Sequence, residues 1–470
     1  MKYFIVFLLF IGTVSHIFAQ HQDLSEKPNI WNNISSKRDS SIILNAFKFG
    51  QINGHFRYFF SLTDNAKTLR DYYAEAIGGG LRFESAQFYN FNIAVSGFYI
   101  FPLKSANLFE KDAITGQGNR YEIGLFDVNA IDQLEEINRL EEFFVQYNLK
   151  KGFVKFGRQL LNTPFINLQD GRMRPTAVQG FWTEYKLNTS HQLSGGWINA
   201  IAPRSTKDWF SNAESIGLYS VGVDISGKKS AYKGQVASDW VGMFNYKYAK
   251  DKNFQFDVWY MYTENISHNL LTQWEKKLTS RWKGLYYGVQ VASQWKSGNG
   301  GNIDPTLAYN QNNRPVYIFG AQIGYKKGGF NQSLSINRIN SGGKYLMPRE
   351  WGRDYFYTFM PRERNEGFGD TKSAVYKIQY LKPKKFQTTL SVGYFSMPDV
   401  KNFALNKYGL PTYGQLNVDF RYYFKGALSG LESQALYVYK KNIGDTYDDS
   451  KYIFNKTDVH LFNLVLNFKF

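Results

Sequence analysis

From about Phe56 to the C-terminus, aromatic or branched side chains alternate with polar or small ones in segments of roughly ten residues, the two-residue period of strands with one apolar face. Phe254, Phe256, Val258, Tyr260 and Tyr262 share one side, with Gln255 and Asp257 among their opposites. Leu285, Tyr287, Val289 and Val291 alternate with Tyr286, Gly288, Gln290 and Ala292. The same grammar places Ala374, Tyr376, Ile378 and Tyr380 against Val375, Lys377 and Gln379, and Leu416, Val418, Phe420, Tyr422 and Phe424 against Asn417, Asp419, Arg421 and Tyr423. Counting such segments gives about 16 to 19 strands, and closed bacterial barrels of one chain use even numbers. The expectation is an all-β fold, a transmembrane antiparallel β-barrel of about 18 strands with inward-folded loops.

Alternation alone also suits a water-soluble sandwich, so the side that meets lipid needs further evidence. Tyr and Trp cluster near strand ends, as in Trp259 to Tyr262, Trp282 to Tyr287 and Tyr437 to Tyr439, where amphipathic rings form interfacial girdles. The polar faces hold Asn, Gln, Ser and charged groups, which suit a watery lumen. The chain ends on a strand whose His460, Phe462, Leu464, Leu466, Phe468 and Phe470 lie on one face, and a terminal Phe in that setting is similar to the insertion signal of outer-membrane proteins.

Composition fits the same architecture. Aromatic residues make up 18% of the 470, yet mean hydropathy is −0.41, which excludes a bundle of apolar membrane helices. Lys2, the apolar run Phe4 to Ile11 and Ala19 before Gln20 read as a secretory signal over 1–19, implying export to the outer membrane of a Gram-negative cell. Residues 20–50 are polar and read as a flexible segment, leaving 51–470 as the barrel domain. Zero cysteines exclude disulfides, thiolate metal sites and a Cys nucleophile. A net charge of +17 is compatible with nucleic acid, anionic lipid and lipopolysaccharide, or acidic solutes. Export and scattered basic residues argue against nucleic acid.

Some stretches break the alternation. Ile131, Leu134, Ile137 and Leu140, with Asp132, Glu135 and Glu136, read as a short acidic loop helix, while 161–176 and 341–370 are long, charged connections. An inward-folded loop of that length narrows a pore.

Two of these stretches carry a family pattern. Gly152 to Gly180, GFVKFGRQLLNTPFINLQDGRMRPTAVQG, resembles a segment of the OprD porins, and Tyr345 to Asp370, YLMPREWGRDYFYTFMPRERNEGFGD, resembles a second, chiefly over Pro348 to Asp354 and Arg362 to Gly367. The resemblance is specific over about 55 residues and implies an 18-stranded monomeric barrel with a narrow constriction and a ladder of basic side chains that guides carboxylate-bearing solutes. The physics of such a ladder is general: a narrow, low-dielectric channel focuses the field of lining charges, and the planar fork of Arg meets a carboxylate with two hydrogen bonds. Strand parity turns Arg57, Arg82 and Arg421 inward; the family segments add Arg172 and Arg174, with Asp170 as their local partner, and Arg362 and Arg364. Arg158 shares the parity of Val154 and Phe156 and is a poorer candidate, and Arg349 and Arg353 pin their loop.

No enzyme signature is present: the six His are isolated and nowhere spaced as metal ligands, and Gly78 to Gly80 lie within a strand pattern, not in a phosphate loop. The expected function is passive diffusion of small water-soluble solutes such as amino acids, organic acids or peptides, with no cofactor or energy source. The competing class is a non-conducting barrel acting as a structural or adhesive surface protein. A carrier of hydrophobic solutes would need an apolar interior, which the polar faces contradict.

Overall fold

The computed structural model describes residues 30–31, 39–130, 136–168 and 172–470. The signal segment 1–19 and Asp170 lie outside these residues. Among them run 18 long strands: β1 (Gln51–Asp64), β2 (Tyr72–Glu84), β3 (Phe91–Ser105), β4 (Ile137–Leu149), β5 (Gly152–Gln159), β6 (Ala177–Lys186), β7 (His191–Ala202), β8 (Val241–Asp251) and β9 (Phe254–Thr263). The second half comprises β10 (Ser267–Lys277), β11 (Leu285–Lys296), β12 (Val316–Lys327), β13 (Phe330–Ile339), β14 (Thr371–Lys382), β15 (Phe386–Ser396), β16 (Tyr413–Tyr423), β17 (Leu431–Asn442) and β18 (Val459–Lys469). Each pairs antiparallel with its neighbour in the chain, and β1 pairs with β18 from His55 opposite Lys469 to Asp64 opposite His460. The sheet is closed, so no row of unpaired backbone groups faces the surroundings, which is the condition for a sheet to cross a membrane.

The alternation read from the sequence sorts the two faces. Along β16, Val418 and Phe420 are exposed on the outside, while Gln415 and Asn417 are buried inside. On β11, Val291 stands outward at 52% exposure beside inward, buried Gln290. An apolar exterior around a polar interior is the reverse of a soluble fold, and it identifies the outer wall as the lipid-facing one. Val291→Arg is accordingly expected to cost about 2–4 kcal/mol. Unfolding from detergent or lipid vesicles checks this, with an equal-length polar substitution at Gln290 as the lumenal control.

Turns at one end are short, as at 150–151, 252–253 and 328–329, whereas the other end carries the loops 106–136, 160–176, 203–240, 340–370, 397–412 and 443–458. This asymmetry is that of outer-membrane barrels, whose long loops are extracellular and whose short turns are periplasmic.

The helical reading of 131–140 is corrected in its second half. Ile137 begins β4, and residues 131–135 lie outside the described residues. Ile137 and Leu140 imitate a helical spacing but lie on opposite faces of the strand, Ile137 inward and Leu140 outward; a bulge follows them, where Ser96 faces Glu142 but Gly97 faces Leu140, so Glu141 is an extra residue. Arg139 and Glu141 are buried on the inward face, and the bulge turns Glu142 inward beside them. A second bulge, between β2 and β3, accommodates Pro102, which has no N–H to offer the ladder.

The described part of the N-terminal segment carries structure. Asp39–Ser40 pairs with Gln87–Phe88, and α1 (Ile43–Lys48) follows at the periplasmic rim. Phe47 stacks on outward-facing Phe83 at 6.0 Å, so α1 lies against the outside of the wall.

Candidate functional site: a constricted lumen with a basic wall

Three extracellular loops fold into the barrel and lock together. Trp351, fully buried, donates from its indole N–H to Ser215 Oγ at 2.9 Å, joining loop 340–370 to loop 203–240. Glu350 accepts from the backbone N–H groups of Gly217 (3.1 Å) and Tyr219 (2.9 Å). Burial pushes the Glu350 carboxyl above the ordinary range, and the Tyr219 backbone donor partly offsets the rise. Loop 160–176 enters through Asn167: its Nδ2 donates to the Arg353 carbonyl at 3.0 Å and its Oδ1 accepts from the Arg353 N–H at 3.1 Å. Gly352 makes this close approach possible, because its φ is +151° and a Cβ there would stand 2.5 Å from Asn167 Oδ1. Asn167→Ala would orphan buried backbone groups at a cost of about 1–3 kcal/mol and loosen the junction. Faster proteolytic nicking of loop 340–370 in the folded barrel is the expected readout.

The joined loops attach to separate parts of the wall. Gln290 and Gln294 on β11 donate to the carbonyls of Tyr355 (2.9 Å) and Leu346 (2.6 Å). Further round the barrel, Gln415 and Asn417 on β16 donate to the Pro361 carbonyl at 2.8 and 3.0 Å. Loop 340–370 therefore bridges the barrel interior, with Tyr345, Tyr355 and Phe356 packed into one apolar cluster against wall residues such as Ile198, Met261 and Ile318.

What remains of the lumen wall is basic over one arc. Arg421 on β16, Lys440 on β17, Lys469 on β18 and Arg57 on β1 occupy four consecutive strands with inward parity. Arg57 donates to Asn467 Oδ1 at 2.9 Å and lies in the field of Arg174, Glu432 and Arg421. Lys469 feels Arg57, Arg421 and Arg174 as well as Glu432. Nearer the extracellular side, Arg120, Arg349, Arg362 and Lys440 converge on Tyr121, with the guanidinium groups of Arg120 and Arg362 at 5.5 and 5.6 Å from its ring. Burial alone would raise the Tyr121 hydroxyl, yet these four cations hold it below its ordinary value. Arg362 also donates to Asn463 on β18, and Lys440 donates to the Arg362 carbonyl.

The fold is that of a known group of outer-membrane channels. OpdK of Pseudomonas aeruginosa, crystallised with vanillate, superposes with a TM-score of 0.66 at 13% identity, over 90% of this chain and 99% of that one. OccAB1 of Acinetobacter baumannii gives 0.67 at 13% identity, over 91% and 97%. OccD3 (OpdP) of P. aeruginosa gives 0.65 at 13% identity, over 91% and 92%. No family model and no curated protein matches the chain.

Within this fold the residues singled out from the sequence separate into groups. Arg57, Arg174, Arg362 and Arg421 belong to the arc or touch it. Arg421 lies 3.4 Å from Asp419 and lines a small pocket beneath the inward loop with Arg353, Lys377 and Phe359. Arg82 is buried in bridges to Glu84 (2.6 Å) and Glu142 (3.0 Å), which gives it a structural role near the periplasmic rim. Arg364 donates to the Gly352 carbonyl inside its own loop. Arg172 is buried next to Gly124 of loop 106–136. Among the described residues, Glu141 holds Arg174, accepting from Arg174 Nε at 2.8 Å and from Arg139 at 3.0 Å.

Lys440, Lys469, Arg120, Arg139 and Arg349 were not among the residues selected. Parity could have found the first two, since Lys440 follows Leu436 and Val438, and Lys469 follows Val465 and Asn467, on inward faces. Arg120 is the chain neighbour of Tyr121, but nothing in the sequence brings Arg349 of loop 340–370 toward that ring.

Proposed function

We propose that the chain is a passive outer-membrane channel for small water-soluble solutes carrying a carboxylate, which basic side chains guide past an inward-folded loop. The observation that carries this reading is the group of four cations, Arg120, Arg349, Arg362 and Lys440, gathered around Tyr121 and continued downward by Arg57, Arg421 and Lys469. Several cations in succession lower the barrier for an anionic group, and because each is shared with wall groups none binds it too tightly to release it. Arg57 already satisfies Asn467, and Arg421 is drawn to Asp419. The fold neighbours support the reading: one of them, OpdK, holds vanillate, a carboxylate.

The test is liposome swelling with matched solutes. A small carboxylate should enter vesicles holding the protein faster than a cationic solute of equal size. Neutralising Arg362 and Lys440 together should remove most of that preference while leaving neutral solutes nearly unaffected. Equal rates for both solutes would overturn the guidance by charge.

A further inference from the structure

The net charge of +17 is not spread evenly over the barrel. The nine extracellular loops together hold 21 Lys and Arg against 25 Asp and Glu. The eight short periplasmic turns, each taken with two residues on either side, hold 15 Lys and Arg against three acids, Glu84, Asp251 and Glu432. All 15 of these cations are exposed. The basic arc of the lumen is built from other residues, so the periplasmic edge carries a charge that guidance of solutes does not use.

This charge is densest where β12 to β15 meet the periplasm. Lys326 and Lys327 close β12, Lys382 closes β14, and Lys384 and Lys385 belong to the turn that follows. The two turns are neighbours: Phe330 of β13 pairs with Lys327 on one side and Tyr380 on the other, and the Leu381 N–H donates to the Gly329 carbonyl at 2.8 Å. The four strands contain no Asp or Glu. Among the described residues, none of the five lysines forms an ion pair. Lys384 even takes the left-handed position of its turn, at φ +54°, where glycine or asparagine fits with less strain. Like charges held together repel one another, and an anion supplied from outside the chain relieves that repulsion.

The direction of the side chains shows where that anion lies. Lys327 shares the parity of lipid-facing Ile323, and Lys382 that of lipid-facing Tyr380. Each stands opposite an aromatic of the outer wall, Lys327 opposite Phe330 and Lys382 opposite Phe386. Phe330 and Tyr380 are exposed, and Phe386 stacks on Phe420 at 6.1 Å. These cations therefore hang on the lipid side of the barrel beside its periplasmic aromatic girdle, at the depth of headgroups. An acidic macromolecule in the periplasm would meet the turns alone and leave Lys327 and Lys382 unused.

We propose that this edge is a binding surface for anionic phospholipid of the periplasmic leaflet, with the five lysines on the headgroup phosphates and Phe330, Tyr380 and Phe386 along the upper acyl chains. The attraction of a lysine cluster to anionic lipid adds to the apolar contact and fixes the depth at which this side of the barrel sits. The proposal does not depend on the channel reading.

Electron paramagnetic resonance of vesicles holding the full-length protein tests it, by comparing the association of spin-labelled phosphatidylglycerol and spin-labelled phosphatidylcholine with the barrel. The parent is expected to prefer phosphatidylglycerol by about threefold or more, and high salt should weaken that preference. Neutralising Lys327, Lys382 and Lys384 together to Gln should remove most of it. Neutralising Lys228, Lys229 and Lys233, three exposed lysines of extracellular loop 203–240, removes the same charge and should leave the preference as it is. The heat-dependent shift in gel mobility verifies that each variant has formed a barrel. Equal association of the two lipids with the parent would overturn the proposal, as would a preference that survives in the first variant and is lost in the second. Equal association together with binding of soluble polyglutamate would overturn it in favour of an acidic periplasmic partner. The salt series on the parent requires no substitution, and a preference that salt leaves unchanged would also overturn it.

Discussion

Glu141→Ala is expected to be the most destabilising single substitution in the barrel wall, at about 3–5 kcal/mol. Glu141 is fully buried and accepts from Arg174 through both oxygens and from Arg139. Arg139 is in turn bound to the carbonyls of Pro203 (2.8 Å) and Pro175 (2.6 Å), so two loops are held through the same carboxylate. Without it, two guanidinium groups face each other with no counter-charge in a site shielded from water. Equilibrium unfolding in detergent should show the loss, with Glu141→Gln intermediate. Adding Arg174→Met to Glu141→Ala should recover part of it, because removing both partners of a buried pair is far less costly than removing one. A Glu141→Ala barrel within about 1 kcal/mol of the parent would contradict the role assigned to this cluster.

The second large effect concerns selectivity. Replacing Arg57, Lys440 and Arg421 together by Ala removes three inward cations from three of the four consecutive strands of the basic arc. The balance of the lumenal field should therefore move toward negative. The ratio of anion to cation permeability is expected to fall about tenfold, equivalent to about 1.4 kcal/mol at the barrier. Reversal potentials in a salt gradient give the ratio directly. Lys276→Ala, an exposed residue near the periplasmic end of β10, should leave it unchanged.

The strands were legible because parity is a local property. Val291 beside Gln290, or Phe420 beside Arg421, declares its face whatever the rest of the chain does, since lipid and water select opposite side chains at every second residue. Closure and the count of 18 followed from repetition of that pattern. The bulge at Glu141 was not legible, because one inserted residue shifts the parity of everything after it, and no local pattern marks where the shift falls. It concealed Glu141 as a partner of Arg174; Asp170, the partner expected from proximity along the chain, lies outside the described residues. Loop residues were legible as charged and long, but their destinations were not. Arg362 reaches Tyr121 and Asn463, whereas Arg364, two positions on, turns back to Gly352, and no local rule separates them. Trp31 lay in a segment read as flexible, and its contacts with His55 and Arg174 are set only by the closed barrel.

Reconstitution of the parent protein into a planar bilayer under a potassium chloride gradient tests the central claim most directly. The account predicts discrete current steps with a reversal potential on the chloride side, reduced when a small carboxylate is added. A folded barrel that passes no current would contradict it and favour a surface protein whose lumen is filled by its own loops.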